Sequence, residues 1–162
     1  LVLTKRPVRR IHEAERSLRA HVAALREFFV PHGGLLEILL DAFADVIRFG
    51  HLADRRFVAH HPAWPYLAKR FGFTIAATIQ VHSGTEPSAL HIQSLIDKFR
   101  REGLKVIASE IQLSQKIPNL LSKESKAKVV ILTTLPGGLP GTETYIDMLR
   151  YNVLQLAGAL QS

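Results

Sequence analysis

The sequence predicts an α/β domain with a parallel sheet of about four strands and helices on both faces, preceded by a long N-terminal helix and a second helix. Two observations support this prediction. Short runs rich in β-branched residues alternate with helical patterns through the second part of the chain, whereas the first part shows helical periodicity alone. Because each strand is followed by a helix and then another strand, crossover connections are needed, and strands joined in this way run parallel.

The N-terminal part is predicted to form two helices. Apolar residues recur at helical spacing over residues 11–29, and the Pro and Gly residues of 31–34 interrupt the pattern. A second helical stretch covers residues 35–49. We therefore expect two parts, a helical segment over residues 1–52 and an α/β lobe over residues 53–162.

The α/β lobe is predicted from four repeats of strand and helix. The predicted strands are residues 56–60, 74–81, 105–109 and 128–132. The predicted helices are residues 62–71, 87–101, 114–122 and 142–160. Gly72 and Gly103 follow the first two helices, as glycine commonly does at a helix C-terminus.

Composition excludes several classes of site. The 162 residues include no Cys, so disulfides, thiolate catalysis, iron–sulfur clusters and Cys-type zinc sites are excluded. Eight His residues leave His, Asp and Glu as the candidate metal ligands. The net charge is +7, but no aromatic residues interleave with the basic N-terminal residues, and we expect a solvated helix face there and no nucleic-acid partner.

Two features bear on how the chain is processed and where it resides. No apolar run reaches the roughly 18 residues that span a bilayer, so no transmembrane segment is predicted. The sequence starts with Leu1 inside an apolar pattern and has no signal peptide with a cleavage site. We therefore expect a mature or truncated segment of a protein.

Candidate ligands cluster after the predicted strands, because open parallel sheets bind ligands at the carboxyl ends of their strands. His60 and His61 follow the first strand, Glu110 follows the third, and together they form a plausible metal constellation. Pro62 fits the first position of the next helix, so His61 is expected to project from a rigid corner between strand and helix. The spacing alone supports a ligand and a hydrogen-bonding role for His61 equally. Glu110 taken alone is better explained by pairing with a Lys or by helix capping, and Trp64 by packing.

Enzymatic signatures are missing from the sequence. There is no GxGxxG, no GxxxxGK[ST] and no GxSxG pattern. A hydrolase with a His–Glu metal site would need an open coordination position and a neighbouring general base, for which no motif is present. We therefore expect no enzyme and keep a metal-dependent hydrolase as the less supported alternative.

Four segments of the chain carry distinctive motifs, and they read RFVAHHPAWPYLAKRFGF (56–73), TEPS (85–88), VIASEIQLS (106–114) and YIDMLRYN (145–152). Together they resemble the solute-binding proteins of zinc and manganese ABC transporters. Residues 56–73 resemble that family's H-x-A-aromatic-x-Y-F segment, and the other three resemble its EPS turn, its VIFAEPQFS stretch and the Y-L-D-M-M-R-x-N opening of its last helix. They occur in the family's order over about the last two thirds of the chain.

The resemblance implies a C-terminal lobe of a two-lobed receptor, with the linking helix in the first part of this chain. It places His61 on the family's third metal ligand, with His60 and Glu110 as local candidates. Thr133 stands where the family often has Asp, and no segment matches the N-terminal lobe that carries the first two ligands. A missing N-terminal lobe or a second chain would then complete the site.

The implied function is capture of a metal ion, Zn²⁺ or alternatively Mn²⁺, and delivery to an ABC transporter permease. The implied location is the periplasm, or the extracellular side in association with the membrane. A second reading is a truncated or divergent lobe that does not bind metal and associates with itself.

Overall fold

The computed structural model describes residues 20, 52–82 and 84–161. Residues 52–161 belong to one compact unit. Apart from residue 20, the two predicted N-terminal helices lie outside the described residues, so the helical segment 1–52 remains a prediction. In the part of the chain that is described, no helix is long and apolar enough to cross a membrane.

The described lobe contains the four strands and four helices that the sequence predicts. The strands are β1 (Arg56–Ala59), β2 (Thr74–Thr78), β3 (Val106–Glu110) and β4 (Lys128–Leu132). The helices are α1 (Pro65–Phe71), α2 (Ala89–Glu102), α3 (Lys116–Ser125) and α4 (Tyr145–Leu160). All strand pairs are parallel, which confirms the predicted α/β class.

Helix starts differ from the predicted positions because local hydrogen bonds set them. α1 begins at Pro65 rather than at residue 62, since the Ala63 N–H donates to the His61 carbonyl at 2.8 Å and closes a separate turn. α4 begins after Thr144, whose hydroxyl accepts from the Asp147 N–H while the Asp147 carboxylate accepts from the Thr144 N–H. This reciprocal pair is a capping box, which satisfies N–H groups that the first turn leaves unpaired.

The order of strands in the sheet is β2-β1-β3-β4. The connection from β1 through α1 places β2 on one side of β1. The connection from β3 through α3 places β4 on the opposite side of β3. The direction of the connections therefore reverses between β1 and β3. In open parallel sheets a ligand crevice forms at this topological switch point, outside the carboxyl ends of the two strands.

Apolar side chains fill both faces of the sheet. On one face α2 and α3 share a buried cluster with the strands, built from Val58, Ile79, Leu95, Ile96, Phe99, Leu104, Ile107, Leu121 and Ala127. Side chains alternate along a strand, so Phe57 points to the opposite face, where its ring meets Phe73 edge-on. α4 packs against β3 and β4. Burial on both faces holds the carboxyl ends of β1 and β3 side by side.

Candidate metal-binding site

The turn after β1 stands at the topological switch point and carries the predicted ligand His61. Its first residue, His60, continues the pairing with both neighbouring strands. The His60 N–H donates to the Ala108 carbonyl at 2.7 Å, and the His60 carbonyl accepts from the Gln80 N–H at 2.9 Å. The backbone entering the turn is therefore fixed by the sheet, and His61 is the first residue beyond these bonds.

The His60 side chain is buried beside β3. Its Nδ1 lies 2.8 Å from the Ser109 hydroxyl oxygen, at hydrogen-bonding distance. Burial, and to a smaller extent the neighbouring imidazole of His61, lowers the pKa of His60 below its usual 6.5. The ring is thus biased towards the neutral form, which is the form that can bind a metal ion.

Glu110 ends β3 with a carboxyl group that is almost fully enclosed, and the residue is 1% exposed. The indole N–H of Trp64 donates to Glu110 Oε1 at 2.7 Å, while Oε2 is buried and has no hydrogen-bond partner. Burial raises the pKa of Glu110 to about 7, although the Trp64 hydrogen bond acts in the opposite direction. Trp64 is therefore more than the packing residue that the sequence suggested.

His61 lies in the chain between His60 and Trp64, whose side chains are both hydrogen-bonded to β3, and it is half-buried. Pro62 and Ala63 beside it are exposed, so the turn reaches the surface of the lobe. Among the described residues no group of three or more His, Asp or Glu side chains could hold a metal ion. The ligand set of His61, His60 and Glu110 thus stays a prediction.

The carboxyl end of β4 is closed by an amide side chain. Asn152 of α4 accepts from the Thr133 N–H at 3.1 Å and donates to the Thr133 carbonyl at 2.8 Å, and both residues are buried. The Thr133 hydroxyl donates to the Leu135 carbonyl at 3.0 Å and accepts from the Leu135 N–H at 3.1 Å. A Cβ added to Gly138 would overlap this hydroxyl group. The Thr133 hydroxyl is therefore fully used by hydrogen bonds within its own loop.

Sequence reasoning missed three partners in this region. Ser109 and Trp64 hold the turn, and Asn152 closes β4, yet each forms hydrogen bonds with residues 19 to 49 positions away. The one signal for Asn152 was its place at the end of the YIDMLRYN segment. His82 is exposed, and the His91 ring bonds to the Thr78 carbonyl at 3.1 Å, so neither joins the turn.

The fold and the candidate site define a class of protein, an α/β unit whose parallel sheet carries His and Glu residues at its topological switch point. The family model described as zinc-uptake complex component A, periplasmic, matches residues 40–159. That range covers most of the chain, and the chain belongs to this family.

Relatives with established names agree with the family. The high-affinity zinc uptake system protein ZnuA of Brucella abortus is 31% identical over 98 residues, which are 60% of this chain and 29% of that protein. The ZnuA of Bacillus subtilis is 30% identical over 110 residues, which are 65% of this chain and 34% of that protein. The matched region thus spans about a third of the length of these relatives.

Solved structures show the same fold. A mutant of the laminin-binding adhesin Lmb from Streptococcus agalactiae superposes with a TM-score of 0.63 at 30% identity, covering 74% of this chain and 45% of that one. The solute-binding protein FpvC from Pseudomonas aeruginosa, in complex with Mn²⁺, gives a TM-score of 0.57 at 26% identity and covers 75% and 50% of the two chains.

Proposed function

We propose that this chain is the C-terminal lobe of the metal-binding component of an ABC importer, with Zn²⁺ as cargo and His61 as a metal ligand. One observation carries the proposal. In a chain of the zinc-uptake family, a half-buried His stands at the switch point between β1 and β3, where parallel α/β sheets bind ligands. Residues 53–162 would form the lobe, and residues 1–52 would include the linking helix.

Zinc is preferred over manganese because of the donors that this lobe offers. Imidazole suits Zn²⁺, whereas Mn²⁺ prefers carboxylate and other oxygen ligands. The position of the family's Asp holds Thr133, whose hydroxyl is bonded to Leu135. The named relatives include zinc uptake proteins, and FpvC was solved with Mn²⁺, so Mn²⁺ is the alternative cargo.

The chain's own residues would act by presenting one imidazole in a fixed place. The sheet and the hydrogen bonds of His60 and Trp64 hold the turn, so His61 needs little rearrangement to meet an ion. Zinc takes four ligands in closed sites. The remaining ligands would come from His60, Glu110, an N-terminal lobe or a second chain.

The proposed role is capture and delivery rather than catalysis. A lobe of this family would act in the periplasm or on the extracellular face of the membrane, and would release its ion to a permease. His61 then serves as a binding residue, and no general base or nucleophile is needed.

Calorimetric titration of the metal-stripped chain with ZnCl₂ tests the proposal. We expect one zinc ion to bind per chain. In His61→Ala the affinity for zinc should be at least about 100-fold weaker, because the Ala methyl group cannot replace a lost zinc ligand. His82→Ala is the matched control, since His82 is an exposed His that lies away from the turn, and it should bind as the parent does. A His61→Ala variant that binds zinc as the parent does would overturn the role of His61 as a ligand, and a folded parent that binds no zinc would overturn completion of the site by His60 and Glu110 alone.

A further inference from the structure

Two side-chain hydrogen bonds bracket His61 along the chain. On one side, His60 Nδ1 lies 2.8 Å from Ser109 Oγ, and on the other side, Trp64 Nε1 donates to Glu110 Oε1 at 2.7 Å. Both partners belong to β3, where they are consecutive residues. We refer to this pair of hydrogen bonds as the β3 clamp.

The β3 clamp holds the turn from both faces of the sheet. Consecutive side chains on a strand point to opposite faces, so Ser109 and Glu110 cannot lie on the same side of β3. The turn after β1 therefore straddles the carboxyl end of β3. His60, Trp64, Ser109 and Glu110 are all at least 97% buried, and a hydrogen bond between buried groups is costly to break.

We propose that Ser109 and Glu110 are positioning residues that hold His61 in place for the metal, acting through His60 and Trp64. The inference rests on the proposed function of His61 as a ligand. It adds a role for the carboxyl group of Glu110 that differs from direct metal binding. In this role Glu110 needs only an acceptor oxygen at the place of Oε1.

Burial favours this role for Glu110. The Oε1 atom of Glu110 accepts the indole N–H of Trp64, and Glu110 is 1% exposed. His61, in the turn, is only half-buried. An ion shared with ligands from outside the described lobe has to meet donors at the surface. The Oε2 atom of Glu110 has no hydrogen-bond partner in the protein. The experiment must therefore distinguish the positioning role from direct coordination of the metal by Oε2.

Substitutions at Glu110 separate the two roles. Glu110→Gln keeps an acceptor oxygen for Trp64 but removes the carboxylate, and a neutral amide is a poor ligand for zinc. We expect a zinc Kd within about threefold of the parent for Glu110→Gln. For Glu110→Ala and Trp64→Phe, each of which removes one half of the bond, we expect a Kd weakened by about tenfold or more, as for other groups that orient a ligand.

Gln112→Ala is the matched control in the calorimetric titration. Gln112 lies two residues beyond Glu110, is exposed, and bonds to the Thr134 hydroxyl rather than to the turn. It should bind zinc as the parent does. A Glu110→Gln variant that loses as much affinity as Glu110→Ala would make Glu110 a direct ligand and overturn the inference.

A spectroscopic readout tests the clamp without zinc. Trp64 is the one Trp of the chain, so a ¹⁵N–¹H spectrum contains a single indole N–H signal. We expect this signal to exchange slowly with solvent in the parent and in Glu110→Gln, and to shift and exchange faster in Glu110→Ala. An unchanged signal in Glu110→Ala would overturn the clamp, whereas a parent with the slow signal whose zinc affinity is the same in His61→Ala would overturn the proposed function of His61 instead.

Discussion

The two ends of the sheet use polar residues in opposite ways. At the carboxyl end, Glu110 and Asn152 are buried, and each is bonded to a distant part of the chain. At the amino end, Arg56 reaches Asp54 and Glu102 through ion pairs of 2.9 and 3.7 Å whose side chains are 28–39% exposed. Buried polar groups are expensive to leave unpaired, whereas partly exposed ion pairs contribute little. Substitutions should therefore affect the two ends very differently.

Asn152→Ala should have the largest effect on stability. It leaves the buried N–H and carbonyl of Thr133 without their partners and opens a small cavity, so we expect a loss of about 3 kcal/mol in the free energy of unfolding. Urea unfolding followed by Trp64 fluorescence measures it, since this lone Trp lies in the lobe. Gln155→Ala, an exposed position on the same helix, is the control. A loss below about 1 kcal/mol would show that water replaces the amide and that the carboxyl end is less closed than its burial indicates.

The ionisation of Glu110 should have the next largest effect. Because burial raises its pKa from 4.5 to about 7, the folded lobe retains the proton at a pH where the unfolded chain has lost it. Below about pH 4.5, protonated Glu110 makes its full contribution to the free energy of unfolding. This contribution falls by on the order of 2 kcal/mol as the pH rises to about 7. Glu110→Gln cannot ionise and lacks this fall.

Urea unfolding of the parent and Glu110→Gln at pH 5, 6, 7 and 8 measures this effect. The free energy of unfolding of Glu110→Gln should increase relative to that of the parent as the pH rises. Burial lowers the pKa of His60, so the contribution of His60 to stability rises with pH. This contribution is the same in the parent and in Glu110→Gln, and it cancels when their free energies of unfolding are subtracted. A difference that is constant from pH 5 to pH 8 would mean that Glu110 is ionised at an ordinary pKa despite its burial.

Arg56→Ala at the amino end should have the smallest effect. Arg56 also holds the pKa of Asp54 below its usual range through side-chain hydrogen bonds, and these contacts are partly exposed. We expect a small loss of stability that shrinks between 50 mM and 500 mM NaCl, because salt screens exposed charges. A large loss that is independent of salt would show that the two ends of the sheet do not differ in this way.

Much of the fold was readable from the sequence, since each strand is a short β-branched run and each helix is amphipathic. Thr74–Thr78 and Lys128–Leu132 lie within or on the predicted bounds. The strand order β2-β1-β3-β4 was not predicted, because local patterns do not show which parallel strands become neighbours. The switch point between β1 and β3 follows from that order.

The candidate site was predictable only as far as the turn itself. His61 was identified from its place between a strand and Pro62, and from the family resemblance. The Trp64–Glu110 hydrogen bond joins residues 46 positions apart, and it depends on the β1–β3 neighbourhood and on the burial of both side chains. Such a contact leaves no periodic signal in a single sequence.

The pairing of β2 with β1 has a consequence for how separate molecules meet. The partners are Phe57 with Ile75 and then Val58 with Ala77, so Ala76 is skipped and the regular ladder is interrupted. β2 is a terminal strand of the described sheet, and an extra residue there twists the strand and makes it a poor template for another chain. β4, the other terminal strand, starts with the exposed Lys128, a charge that has the same effect. At both margins of the sheet the sequence thus carries a feature that opposes aggregation by strand addition.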